Sequence, residues 1–451
     1  MGVEPYAQYL EVSGEYLMPF ETFKGAPKRI AVIGGGISGM GAAHMLSRQN
    51  NVVLFEAENR LGGHARTVLA GRNGDQPVDT GFIVFNNANY PNLVKLFDEL
   101  DVPIAESNMS FAASINGGSL EYGLETLNAL FAQKRNVMSP KFLGMCRDVL
   151  RFNKHAVSVA TDPEMTIGQF LKVLGTGDWF RDYYILPLSG AIWSTPVEKI
   201  LDFPAKAMIQ FFKNHNLMGI YGQHQWYTVQ GGSIQYVNRL AAAMHRQGVE
   251  LRTGAGIAGA KRVEGGAMVR AEGGDWEVFD EVVFATHSDT TLSLLTDPSP
   301  AERAALAAIK YQPNTAVLHA DETLMPKHRA CWSSWNYVEP KGAKPEKIDL
   351  TYWMNKLQPI PLSDPMFVTL NSNTPIREDL IYDEVTFAHP VYDVVAEHGR
   401  EAIRSMQGMR NTWFCGAWMK NGFHEDGLAS AVDVVSGMAA RSQMLQEAVP
   451  A

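Results

Sequence analysis

Gly34, Gly36 and Gly39 stand in Gly-x-Gly-x-x-Gly spacing, with an acid, Glu56, at the end of the next apolar run. That set suits one kind of chemistry, the holding of a dinucleotide. Gly34 permits a tight turn and Gly36 lets the backbone approach a pyrophosphate. Gly39 lets a helix lie close on a sheet, so that its free N–H groups and positive end face the phosphates. Glu56 can accept hydrogen bonds from both ribose hydroxyls and would repel a 2′-phosphate. The elements needed to position these residues are present. The apolar run Ile30 to Ile33 predicts a strand, Ala42, Ala43, Met45 and Leu46 recur at helical spacing, and Val52 to Phe55 predicts a second strand.

A glycine motif alone is weak evidence, but here it continues into Arg60-x-Gly62-Gly63. With that extension the chain resembles the FAD-binding flavoprotein superfamily that includes the amine oxidases, phytoene desaturases and protoporphyrinogen oxidase. The resemblance implies an α/β fold: a Rossmann-like FAD-binding domain with an interleaved α+β substrate domain carrying a mixed or antiparallel sheet. It implies FAD, taken as noncovalent because no covalent attachment signal is recognisable, and no metal is expected. It places Gly34, Gly36, Ile37, Ser38 and Gly39 at the pyrophosphate, Glu56 and Ala57 at the ribose, and the backbone of Ile257 at the adenine. Arg60, Gly62, Gly63, His64, Thr80, Gly81, Phe82 and Ala285 fall along the flavin. Gly416 and the turn Glu425, Asp426, Gly427 and Leu428 follow, where a last helix aims its N-terminus at the flavin pyrimidine.

The 451 residues are too many for one simple core. The expected division is an N-terminal extension over 1–27 and an FAD-binding domain over 28–90, 231–300 and 408–451. The substrate domain takes 91–230 and 301–407, with a helical, membrane-facing insertion at 124–160. The aromatic extension, with Tyr6, Tyr9, Tyr16, Phe20 and Phe23, is expected to pack on its own domain or on a partner subunit. Residues 90–101 read as an amphipathic helix and 108–123 as a strand pair. Four β-branched and aromatic runs between 311 and 375 read as the substrate domain's sheet.

A net charge of −9 argues against a general nucleic-acid binder. Cys146, Cys331 and Cys415 lie far apart, which disfavours a disulfide or metal framework and suits a reducing cytoplasm. No run reaches a membrane span and the N-terminus lacks a secretory pattern. Within 124–155, however, Lys134, Arg135, Lys141, Arg147, Arg151 and Lys154 are answered only by Glu125 and Asp148. The bland interpretation is a solvated helix face; the sharper one is contact with anionic phospholipid at the inner face of a membrane. A homodimer and a functional link to a fatty-acid methyltransferase are further candidate partnerships.

Most amine oxidases of the superfamily carry a lysine shortly after the strand that corresponds to 281–286. Here none occurs between Glu281 and Ile309, and Phe423 stands where relatives place the last ring of an aromatic cage. Trp193, Trp332, Trp335, Tyr337, Tyr352, Trp353, Met354 and Trp418 add bulky apolar candidates for a pocket. As a set, FCGAW, GFHEDGL, SSWNY and TYWMN resemble a narrower group of bacterial flavoproteins associated with cyclopropane-fatty-acid-synthase-like methyltransferases. One branch resembles the desaturase of furan fatty acid synthesis. The expected reaction is desaturation of a methylated acyl chain of a phospholipid, with hydride passing to flavin N5. The alternatives are a fatty acid double-bond isomerase, a flavin amine oxidase, or a flavin-binding lipid-handling partner without activity of its own. His424, at a near-neutral pKa, and Glu425 are the first candidates for base or proton relay, and His287 the next.

Overall fold

The computed structural model describes residues 26–219, 224–342 and 347–447. The N-terminal extension and its expected packing lie outside the described residues, apart from Ala26 and Pro27.

Five strands form a parallel sheet in the order Glu250–Arg252, Asn51–Phe55, Arg29–Ile33, Glu281–Phe284, Thr412–Phe414. Their apolar runs are continuous because both faces are covered. Alternate residues feed two different cores. Ile30, Val32, Val52, Leu54 and Val283 point into the larger one, while Ala31, Ile33, Val53, Phe55, Val282 and Phe284 point into a second. Helices Ile37–Leu46 and His424–Glu447 pack on each other over the first face. Residues of the three-stranded meander Ile257–Val263, Gly266–Ala271 and Trp276–Phe279 pack in the second core. The sheet thus draws on three separate stretches of chain, and its carboxyl ends converge where a Rossmann-like fold binds its ligand.

The other sheet has seven strands, in the order Ile381–Val391, Lys310–His319, Phe367–Leu370, Leu350–Trp353, Trp335–Val338, Phe111–Ile115, Leu120–Gly123. It is mixed: Trp335–Val338 and Phe111–Ile115 run parallel, and the remaining neighbours are antiparallel. The hairpin read over 108–123 therefore joins the sheet read over 311–375. The edge strand Ile381–Val391 lies outside that window. Asp383 and Glu384 interrupt its apolar alternation and Pro390 removes a donor, which an edge position tolerates. Between the hairpin and residue 219 the chain is helical. The twenty-residue helix Pro140–Val159 is capped by Ser139, and a π-turn, Arg181–Ile185, joins Asp178–Phe180 to Leu186–Trp193. Among the described residues no helix is long and apolar enough to cross a membrane.

Candidate active site

The glycine turn leaves the N-terminus of helix Ile37–Leu46 open. Gly36 is its N-cap without a side-chain bond, and there is no acid in the first turn. A Cβ built at Gly36 would meet only the Gly63 Cα, at 4.0 Å. The helix end is therefore uncapped with space above it, which suits a pyrophosphate. Gly39 is different in kind, since a Cβ there would lie 1.8 Å from the Gly34 carbonyl oxygen. Glu56 sits against the turn, accepting from Gly35 N at 2.5 Å and Glu58 N at 2.8 Å. A carboxylate has lone pairs to spare beyond two bonds, so a ribose can still be held. The chain before Ile257 passes the same point, with Ala255 N donating to the Glu56 carbonyl at 2.9 Å. Ala57 follows on the exposed surface. Ala285 continues the neighbouring strand, its carbonyl oxygen 2.8 Å from where a Gly34 Cβ would fall.

The second glycine loop is built by its own arginine. Arg60 donates to the carbonyls of Gly63, at 2.8 Å, and Ala65, at 3.1 Å, holding Gly62 and Gly63 at positive φ. Gly81 lies so close to His64 that a Cβ would fall 1.9 Å from its carbonyl oxygen, and Phe82 N donates to that same carbonyl. Thr80 N is tied to the Arg66 carbonyl, and Arg66 pairs bidentately with Asp383 on the edge strand. Beneath the loops Asp79 accepts from Thr67 Oγ1, Ser233 N and Oγ, and Gln358 Nε2. Burial raises its carboxyl to about 6 even so.

The last helix arrives as the sequence implies. A Cβ at Gly427 would meet Ile37 Cγ2 and Ser38 Oγ at 2.9 Å, and one at Gly41 would meet Leu428 Cδ1 at 2.5 Å. Two helix N-termini are thereby brought together. Gly416, at φ 151°, donates its N–H to Ser430 Oγ of that helix at 2.8 Å. Asp426 accepts from Phe423 N at 2.9 Å, and burial raises its carboxyl to about 6.

The candidate proton carriers separate here. The His424 ring stacks on Phe82 with centroids 3.9 Å apart, and its Nε2 shares a 2.7 Å hydrogen bond with the Tyr236 hydroxyl. Burial lowers its pKa to about 3. The near-neutral base expected at this position is thus corrected to a ring held neutral. Glu425 turns away and accepts from Asn92 N and Nδ2 and from Leu93 N. It braces the last helix to the N-terminus of helix Pro91–Glu99.

His287 belongs to a column of rings. His389 lies 5.6 Å from His64 at 8°, His64 lies 5.8 Å from His287, and His287 lies 4.4 Å from Tyr311. Burial lowers all three imidazoles, His389 to about 4; repulsion from neighbouring rings adds to it for His64 and His389, while Asp289 partly opposes it for His287. His389 Nδ1 is bonded to Asn314 Nδ2 at 2.8 Å. Sequence reasoning missed His389, Asn314 and Tyr236, since each reaches the site from a distant element and no local motif marks it. Among the described residues no group of histidines, cysteines and acids is placed to hold a metal ion.

Beyond His424 the walls are aromatic. Phe423 stacks on Phe211 at 4.7 Å and 16°, with Trp193 4.9 Å from Phe211 and 5.6 Å from Phe203. A cavity of about 130 Å³ opens beside Phe423, Asn89, Asn214 and His215. Of the other bulky candidates, Trp335 and Tyr352 adjoin Trp193 through the Tyr352–Ser194 hydrogen bond. Trp418 is core, its Nε1 donating to the Thr286 carbonyl. Trp332 and Trp353 pack against each other, and Tyr337 and Met354 lie in the larger core.

The family model described as flavin containing amine oxidoreductase matches residues 37–343, more than half of the chain. Over 43 residues the chain is 54% identical to protoporphyrinogen oxidase 2, chloroplastic/mitochondrial, of Arabidopsis thaliana, a match that spans 9% of this chain and only 8% of that protein's length. The CLA-producing fatty acid isomerase from P. acnes superposes with a TM-score of 0.64 at 15% identity, over 92% of this chain and 99% of that one. Wild-type putrescine oxidase bound to putrescine gives 0.64 at 15%, over 92% and 98%. Cyclohexylamine oxidase from Brevibacterium oxydans IH-35A gives 0.64 at 14%, over 92% and 100%. These three likenesses show a shared fold.

Proposed function

The chain belongs to the flavin containing amine oxidoreductase family and is an FAD-dependent oxidoreductase, and from that premise we propose that it desaturates a long, apolar acyl chain, a methylated chain of a phospholipid. Bound FAD supplies the hydride acceptor, its N5. The residues that would hold it are those assembled above: the open helix end at Gly36 to Gly39, Glu56, the Gly62–His64 loop, Gly81–Phe82 and the N-terminus of the last helix.

The observation that carries this reading is the aromatic wall of Trp193, Phe203, Phe211 and Phe423. An ammonium group is recognised on open ring faces, and one face of Phe423 is already covered by Phe211. The imidazoles nearby are held neutral, so the rings offer an acyl chain an apolar wall, while Asn214, Asn421, Glu425 and Asp426 give the cavity beside Phe423 a polar side. The chain's own residues then have three tasks. The aromatic wall orients the chain and excludes water. Tyr236 holds His424, which fixes Phe82 by stacking. His287 accepts the proton from the allylic carbon while the hydride leaves the adjoining position, so that two hydrogens are lost and one C=C bond forms.

The fatty acid isomerase fold supports a second reading, in which the hydride returns to another carbon and the chain keeps its composition. Mass analysis of vesicles carrying mid-chain methylated monounsaturated lipids separates the two. Loss of two hydrogens from the acyl chain is expected. A moved double bond at unchanged mass would establish isomerisation, and an unaltered lipid would reject both.

A further inference from the structure

Among the described residues, eighteen large hydrophobic side chains are solvent-exposed, and eight of them fall between Leu124 and Val173. On helix Pro140–Val159 the exposed Leu143, Leu150 and Val157 recur every seven residues, about two turns, and form one outward stripe. Arg147 and Lys154 fall between them with the same spacing, and Arg151 and Lys141 flank the stripe. Val137 and Met138, 51% and 85% exposed, extend it from the turn Lys134–Met138, which packs against the helix. Between 134 and 159 the one acid is Asp148. It is buried, accepts from Gly177 N at 2.9 Å and pairs with Arg147 at 3.4 Å.

A solvated face would carry charges of both signs and few large apolar groups. This one interleaves apolar and basic groups without an exposed acid, on a chain whose net charge is −9. We infer that the outward face of helix Pro140–Val159, together with Val137 and Met138, docks on an anionic lipid bilayer. The basic groups pair with anionic headgroups while the leucines and Met138 enter the headgroup boundary. The opposite side of the helix leads inward. Phe152 lies 5.9 Å from Phe212, Phe212 6.5 Å from Trp193, and Trp193 6.5 Å from Phe423. Docking would therefore leave Phe152 and Phe212 as the packed rings between the bilayer-facing stripe and the aromatic wall, which suits the acyl-chain reading without depending on it.

The test is sedimentation of the FAD-loaded protein with vesicles of phosphatidylglycerol and phosphatidylcholine in equal parts, or of phosphatidylcholine alone, read without turnover. Wild type is expected to sediment with the anionic vesicles only and to be released by salt. Arg147→Glu with Lys154→Glu should lower partitioning at least about thirtyfold, and Met138→Ser with Leu150→Ser about tenfold. Both variants should keep their yellow colour and a melting temperature close to wild type, because all four side chains are exposed and the Arg147–Asp148 pair that Arg147→Glu loses is long and solvent-screened. The same charge change placed elsewhere, Arg246→Glu with Lys310→Glu, should leave binding intact. Wild type that stays in solution with both vesicles would overturn the proposal, as would control and stripe variants that weaken equally. A lipid-independent dimer dissociated by Leu150→Ser, with no vesicle binding, would assign the stripe to a second copy of the chain instead.

Discussion

Two glycines of one motif do different jobs. A Cβ at Gly39 would strike the Gly34 carbonyl, so its absence is a condition of the fold. A Cβ at Gly36 has room, and its backbone, φ −75° and ψ −179°, is one that valine adopts. Gly36→Val is therefore expected to fold with a near-normal melting temperature and to purify colourless, because its side chain fills the space above the helix end. Full yellow occupancy would show that the pyrophosphate lies elsewhere. The histidines make a second prediction at this scale. His389 is neutral in the folded protein down to about 4, whereas an unfolded histidine takes a proton below 6.5. The folded pKa is lowered, so the stability it supports is present above 6.5 and lost as pH falls toward 4. Between pH 6.5 and 5 that loss is ~2 kcal/mol from His389 alone, at about 1.4 kcal/mol per unit. His389→Gln should flatten the urea-unfolding stability across that interval, and an unchanged slope would contradict the assignment.

Elements place these residues, and the braces between elements were the part the sequence hid. The strand, turn, helix, strand order around Gly34 to Glu56 was legible because the glycine spacing and apolar runs that specify it are contiguous in sequence, although strand Glu281–Phe284 and the last helix also pack on it. So was the arrival of the last helix, which a dense turn motif announces. Glu425 was legible only as a charge near that turn, and the partner that decides its role, the N-terminus of helix Pro91–Glu99, is remote in sequence. The edge strand carrying His389 was missed because Asp383, Glu384 and Pro390 break its pattern, and Arg66 supplies the partner for Asp383. Replacing Glu425 by glutamine removes the charge facing a helix N-terminus and turns an amide toward backbone donors. It should cost about 1–3 kcal/mol of stability while flavin content and turnover per bound flavin stay close to wild type. A collapse of turnover at unchanged stability would return Glu425 to the chemistry.

At the scale of the molecule, the two sheets were legible as classes of sequence: continuous apolar runs for the buried parallel one, β-branched and aromatic runs for the mixed one. Which bulky residues line a pocket was not legible, because burial in a core and burial beside a ligand demand the same side chains. Trp418 and Phe423 lie five residues apart, and only Phe423 belongs to the aromatic wall beyond His424. The central claim is that this wall serves an acyl chain and that FAD takes a hydride from it. The most direct measurement is anaerobic flavin absorbance of the purified yellow protein, mixed with vesicles of mid-chain methylated monounsaturated phospholipid, with plain vesicles and a panel of polyamines and aromatic amines alongside. Persistent bleaching of the oxidised-flavin band by the methylated lipid alone is the predicted result. Bleaching by an amine, with the lipid inert, would contradict the account.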